Sequence, residues 1–194
     1  MAGPGRHDGG ERLRCSQDSK GREMLFEETG PGLSGQTLVF ESWRARLHGR
    51  TFIARDDLDL SCIIGELAHV SMLAREGDGG FRFRLAGTAL RLLFGCEARG
   101  RRSEDVVTCG ERSPWCEGLH QALDLREPVM GRTVTADGDI HFWMRLPMSS
   151  DGVTPDLVLC HDRILPAEAM DNPDAAARAA DRALRLDVED RVAA

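Results

Sequence analysis

Apolar and polar positions change period at one place in the chain, and the elements on either side can be read from that change. Phe81, Phe83 and Leu85 alternate with Arg82, Arg84 and Ala86, the period of two expected of a strand with one buried face. Gly87 breaks the strand and Thr88 is placed to cap the next helix. From Ala89 the period becomes helical, with Leu90, Leu93 and Phe94 at i, i+3 and i+4, until Gly95 and Gly100 close the unit. Upstream, Leu38, Val39, Phe40, Trp43 and Leu47 lie within a leading helix over 37–48, opened by Ser34 and ended by Gly49. Its apolar stripe has two possible partners, the domain core or a second copy of the chain. The acids of Arg55 to Leu60 fall at the start of a short helix over 58–66, where the helix dipole favours negative charge. Val70, Met72 and Ala74 share a face of a strand over 67–76. The turn Gly77-Asp78-Gly79-Gly80 joins that strand to 81–86 as an antiparallel hairpin.

Beyond Gly100 the pattern predicts a helix over 111–126, carrying Trp115, Leu119, Ala122, Leu123 and Leu125, which Pro128 prevents from continuing. Three strands come next, at 129–135, 140–148 and 156–165, separated by Asp137-Gly138-Asp139 and Ser149-Ser150-Asp151-Gly152. Two strands ahead of the helices and three behind them predict an α+β domain over 37–166, with one five-stranded antiparallel sheet and helices on one face. Residues 1–36 are rich in Gly and polar groups, with a single apolar cluster at Met24-Leu25-Phe26, and read as a disordered lead. Residues 167–194 read as an Ala- and Arg-rich helical tail, with Asn172 as a cap and Pro173 in the first turn.

Composition narrows the function classes. The chain has 194 residues, enough for one domain, and 41% hydrophobic content supports a core. A net charge of −7 argues against nucleic-acid binding, which calls for a basic patch. The first residues hold no apolar signal segment, and no apolar run is long enough to span a membrane, so the sequence predicts a cytoplasmic chain. The six cysteines are scattered, with no pair at CxxC spacing, and read as reduced thiols.

Several phrases together carry a resemblance. Trp43 lies in the leading helix, Arg55 to Asp59 fits the pattern Arg-Asp-hydrophobic-Asp, and Phe81, Arg82, Arg84, Leu85, Gly87 and Thr88 fit F-R-x-R-L-x-G-T. Gly95, Gly100 and Arg101 close the next helix, and Leu146-Pro147-Met148-Ser149 runs to Asp151-Gly152. Over roughly 38–166 the chain resembles a single-domain PAS-like family of alphaproteobacteria. It departs from that family in lacking a proline before the first strand, and in reading Leu159-Cys160-His161-Asp162 where small residues are usual. The resemblance implies the PAS sheet of five antiparallel strands and a sensory or regulatory module that is not itself an enzyme. It also implies action through a signalling protein, dimerisation through the leading helix, and a small apolar or amphipathic ligand held between sheet and helices.

The candidate chemistry is modest. No Asn-Cys-Arg-Phe-Leu string of flavin-binding PAS domains is present. His120 lies on the helix from which haem-binding members ligate iron, but a lone helical His is more often a surface residue. No cofactor is therefore predicted. Cys116 and His120 share a helical face without a recognisable fourth ligand, so no metal site is predicted either. Arg84 beside Thr88 has the chemistry to anchor a carboxylate, a ligand's or one of the chain's own acids. Met72, Phe83, Leu85, Leu90, Phe94, Leu119, Met144 and Leu146 are candidates to line an apolar pocket, and plain core is the competing reading. An alternative function is a small α+β enzyme using His161 and Asp162 as an acid/base pair.

Overall fold

The computed structural model describes residues 33–106, 114–135 and 138–181. Most of the polar lead (1–32), the predicted start of the 111–126 helix and the tail beyond 181 lie outside the described residues. The chain opens with helix α1 (Ser34–Arg44), the two-residue strand β1 (Ile53–Ala54) and 3-10 turns at Arg55–Asp57 and Leu60–His69. The hairpin strands β2 (Val70–Arg75) and β3 (Phe81–Ala86) are next in the chain. Three helices succeed them, α2 (Leu90–Phe94), α3 (Ser103–Val106) and α4 (Pro114–Leu125). Strands β4 (Val129–Val134), β5 (Ile140–Ser149) and β6 (Pro155–Leu165) complete the sheet, and 173–181 is helical. Among the described residues no helix is long and apolar enough to cross a membrane.

All five predicted strands form, in the order β3-β2-β6-β5-β4, with every neighbouring pair antiparallel. The sheet is nevertheless mixed and six-stranded. Ile53 and Ala54 pair in parallel with Met148 and Ser149, on the stretch of β5 that β4 leaves free. The last strand, β6, sits at the centre between β5 and β2. All of β5 is buried and so is every residue from Leu157 to Arg163, which identifies a strand pair covered on both faces.

Helices α3 and α4 lie on one face, and the flanking leading helix α1 covers the other. Val39, Phe40 and Trp43 pack with Met72, Met144, Leu146 and Leu159 on one side of the sheet. Leu73, Phe83, Val158 and Cys160 pack under α3 and α4 on the other. The Trp43 indole donates to the Pro147 carbonyl at 3.1 Å and fixes α1 against β5. The stripe of the leading helix is thus spent on the core, and Leu38 remains half exposed.

The Phe81-Phe83-Leu85 alternation is also divided between the faces. Met72 pairs with Leu85 and Leu73 with Phe83, so Arg84 has no counterpart on β2 and forms a bulge. One extra residue turns Leu85 to the α1 side, while Phe81 and Phe83 stay on the α4 side. Gly87 permits the corner beyond β3. A Cβ there would lie 2.2 Å from the Leu67 carbonyl oxygen and 2.3 Å from that of Ala68. The Gly87 N–H donates to the Val70 carbonyl, and the Ala89 N–H donates to that of Ala68. The corner is closed against backbone, which is why only glycine fits.

Candidate functional site

The sheet divides the residues expected to form one site. Met72, Leu85, Met144 and Leu146 belong to the α1-side core, whereas Phe83, Phe94 and Leu119 belong to the α4-side core. At these positions the paired strands lie between the two sets, so the sets do not wall one pocket. Arg84 and Thr88 are both exposed, and α2 has no side-chain cap. The acids near the leading helix are held by other arginines, Asp57 by Arg50 at 2.7 Å and Asp59 by Arg46 at 3.3 Å. His120 is exposed on α4, edge-on to Phe81 at 5.0 Å and 3.5 Å from an Arg75 nitrogen. Cys116 is half buried beside the α4-side core. Among the described residues, no group of three or more His, Cys, Asp and Glu is placed to hold a metal ion.

Two ionic systems that periodicity alone does not show meet at β6. On the α4 side, Asp162 is fully buried and accepts both Arg145 Nη1 (3.1 Å) and Nη2 (2.8 Å), a bidentate pair. His141 Nε2 donates to the same carboxylate at 2.9 Å. Burial alone would raise the Asp162 pKa, but the Arg145 charge and the His141 bond override it, and the pKa falls to about 2. Arg145 also donates to the Met144 carbonyl and lies 5.5 Å from the centre of the Trp143 ring. Gly118 of α4 makes room for this stack, since a Cβ there would lie 3.1 Å from the Trp143 ring. Nearby, Cys160 is buried and its thiol pKa is pushed up to about 12, which leaves it without thiolate chemistry.

The α1 side carries the second system. His161 Nε2 lies 3.0 Å from Glu66 Oε2, and an Arg163 nitrogen lies 3.7 Å from the same oxygen. Burial works to raise the Glu66 pKa, but the His161 hydrogen bond and the Arg163 charge bring it below the usual value. Arg163 also pairs with Asp181 of the 173–181 helix and donates to the Ala177 carbonyl at 3.3 Å. His69 Nε2 bonds the same Asp181 carboxylate at 3.0 Å. Burial, with the Arg163 charge next in weight, lowers the His69 pKa, so the ring is neutral at pH 7 and donates to Asp181 through Nε2–H. His161 and Asp162 therefore do not form an acid/base pair. As neighbours on one strand they point to opposite faces, each with its own partners.

Where β6 runs past the start of β2, the two systems border a cleft of about 270 Å³. Leu90, Leu92 and Leu93 of α2, together with Ile164 and Ala180, form apolar wall; His69, Asp162, Arg163 and Asp181 supply the polar part. Of the predicted pocket set, Leu90 lines this opening. A signal for the buried pair was present in the sequence: Arg145 stands between Met144 and Leu146, and it meets Asp162 when 140–149 and 155–165 are folded as a hairpin.

Comparison with curated proteins returns no match. A family model described as PAS domain matches residues 33–151, from α1 to the end of β5. The matched stretch covers more than half of the 194 residues and stops before β6, the strand that supplies Asp162, Arg163 and the closing edge of the cleft. With that match on this sheet order, the chain belongs to the PAS domain family.

Proposed function

We propose that the chain is a non-catalytic sensory or regulatory module that works in the cytoplasm by contacting other proteins, a second copy of itself among them. The observation that carries this reading is the state of the PAS interior. The space between the sheet and α3–α4 is filled by Phe83, Phe94 and Leu119 and by the closed Arg145–Asp162–His141 cluster, in which the carboxylate has its charge matched. Such an interior presents the outside world with surfaces rather than reacting groups. The enzyme reading loses its acid/base pair because His161 and Asp162 face apart. Contact with a second copy fits the outer side of α1, where Leu38 is 46% exposed, next to the 60–69 segment with Ile64 74% exposed. The cleft beside Leu90 supports a second reading, a small amphipathic ligand admitted at the rim of the sheet.

Proximity labelling in the source cell tests the main reading. Fusion of a labelling enzyme to the chain should mark a small, reproducible set of signalling proteins, and Leu38→Asp with Ile64→Asp should reduce that set. Labelling no richer than that of the unfused enzyme would count against the proposal.

A further inference from the structure

The 173–181 helix packs on the domain through Ala176 and Ala177, accepts the Ser34 N–H through Asp174, and makes its ionic contact through Asp181. Asp181 lies between Arg163, whose side chain is 4% exposed, and His69, at 12% exposed. Both donors belong to the sheet or to the turn leading into it, whereas the acid comes from a helix beyond the last strand. The donors are therefore preorganised, and an Arg with a neutral His N–H beside it is chemistry suited to any carboxylate. Beside this point the cleft continues as apolar wall along Leu90, Leu93 and Ile164. Asp162 also lines the cleft, Glu66 lies 3.7 Å from Arg163, and neither is available to compete. Both oxygens of Asp162 are engaged by Arg145 and His141, and Glu66 is bound to His161 and lies against Arg163.

We propose that His69 and Arg163 form the head-group site for a small carboxylic acid with a short apolar chain, and that Asp181 fills this site with the chain's own carboxylate in the ligand-free state. The lining sets the ligand class: the two donors take one carboxylate, and Leu90, Leu93 and Ile164 take a short alkyl chain, for which hexanoate is the probe. The incoming carboxylate replaces that of Asp181 with no net change of charge at Arg163, and its alkyl chain lies along α2. Occupancy then frees the 173–181 helix from its ionic anchor, which couples the site to the C-terminal segment. The proposal rests on the second reading above, ligand entry at this cleft, and is separate from the partner-contact reading, which stands or falls on the labelling result.

Calorimetric titration of the full chain with sodium hexanoate tests it, with hexanol at the same concentration as the control lacking a carboxylate. Asp181→Asn removes the internal competitor at a half-exposed position and leaves both donors in place. The expected result is saturable hexanoate binding to the wild type, at least tenfold tighter binding to Asp181→Asn, and none of either with hexanol. Hydrogen exchange should also show faster exchange at 173–181 in the wild type when hexanoate is added. No saturable binding to either protein, equal affinities for the two, or equal binding of hexanol would overturn the proposal.

Discussion

Replacing Asp162 with Asn tests the buried pair at its least forgiving point. The substitution keeps the shape of the side chain and removes the charge that Arg145 requires. Both side chains are fully buried, and the carboxylate accepts two guanidinium bonds and one from His141. Breaking such a pair from one side removes the carboxylate that a buried cation binds through two nitrogens, at a cost of about 3–5 kcal/mol. For a chain of this size that corresponds to a fall in Tm of roughly 6–20 °C. Urea unfolding monitored by Trp fluorescence measures it, since Trp143 stacks on the guanidinium. The same geometry sets a pH dependence. The folded pKa of Asp162, about 2, lies below the ordinary 3.8, so its contribution is fully present above pH 3.8 and is lost as pH falls through about 2. That contribution is worth about 2 kcal/mol, and it should be missing from the acid limb of Asp162→Asn. Replacing both partners with apolar residues, Arg145→Met with Asp162→Leu, should recover most of the loss. A loss below about 1 kcal/mol for Asp162→Asn, or a double variant no better than the single one, would refute the reasoning.

Other substitutions probe the corner, the surface and the core. Gly87→Ala forces a Cβ to within 2.3 Å of two backbone carbonyls and should cost about 3 kcal/mol in chemical unfolding. Arg84→Ala and Thr88→Val should each change stability by no more than roughly 0.5 kcal/mol, because both side chains are exposed; a larger loss would show that they hold the fold at this corner. Cys160, buried and with its thiol pKa at about 12, should stay silent to a thiol-specific chromogenic reagent in the folded chain and react once urea is added.

Much of the fold is legible from periodicity and turn residues, because those signals are local. The hairpin around Gly77–Gly80 and all three later strands form at the predicted places within a few residues. The face each side chain occupies is less legible. The Arg84 bulge turns Leu85 away from Phe83, and nothing in the alternation of 81–86 announces the extra residue. The short parallel contact of Ile53–Ala54 with β5 depends on a long-range register and has no local pattern. The separation of His161 from Asp162 is set by strand geometry alone, but their partners, Glu66 on one face and Arg145 with His141 on the other, come from elements far apart in sequence. The His69–Arg163–Asp181 contact lies furthest from sequence reasoning, since it joins a turn, a strand and a later helix through single side chains.

Sedimentation equilibrium of the full chain at micromolar concentration tests most directly the claim that the module works through contact with its own kind. A dimer for the wild type, and a monomer of unchanged stability for Leu38→Asp with Ile64→Asp, is the predicted result. A wild-type chain that remains monomeric under those conditions contradicts it.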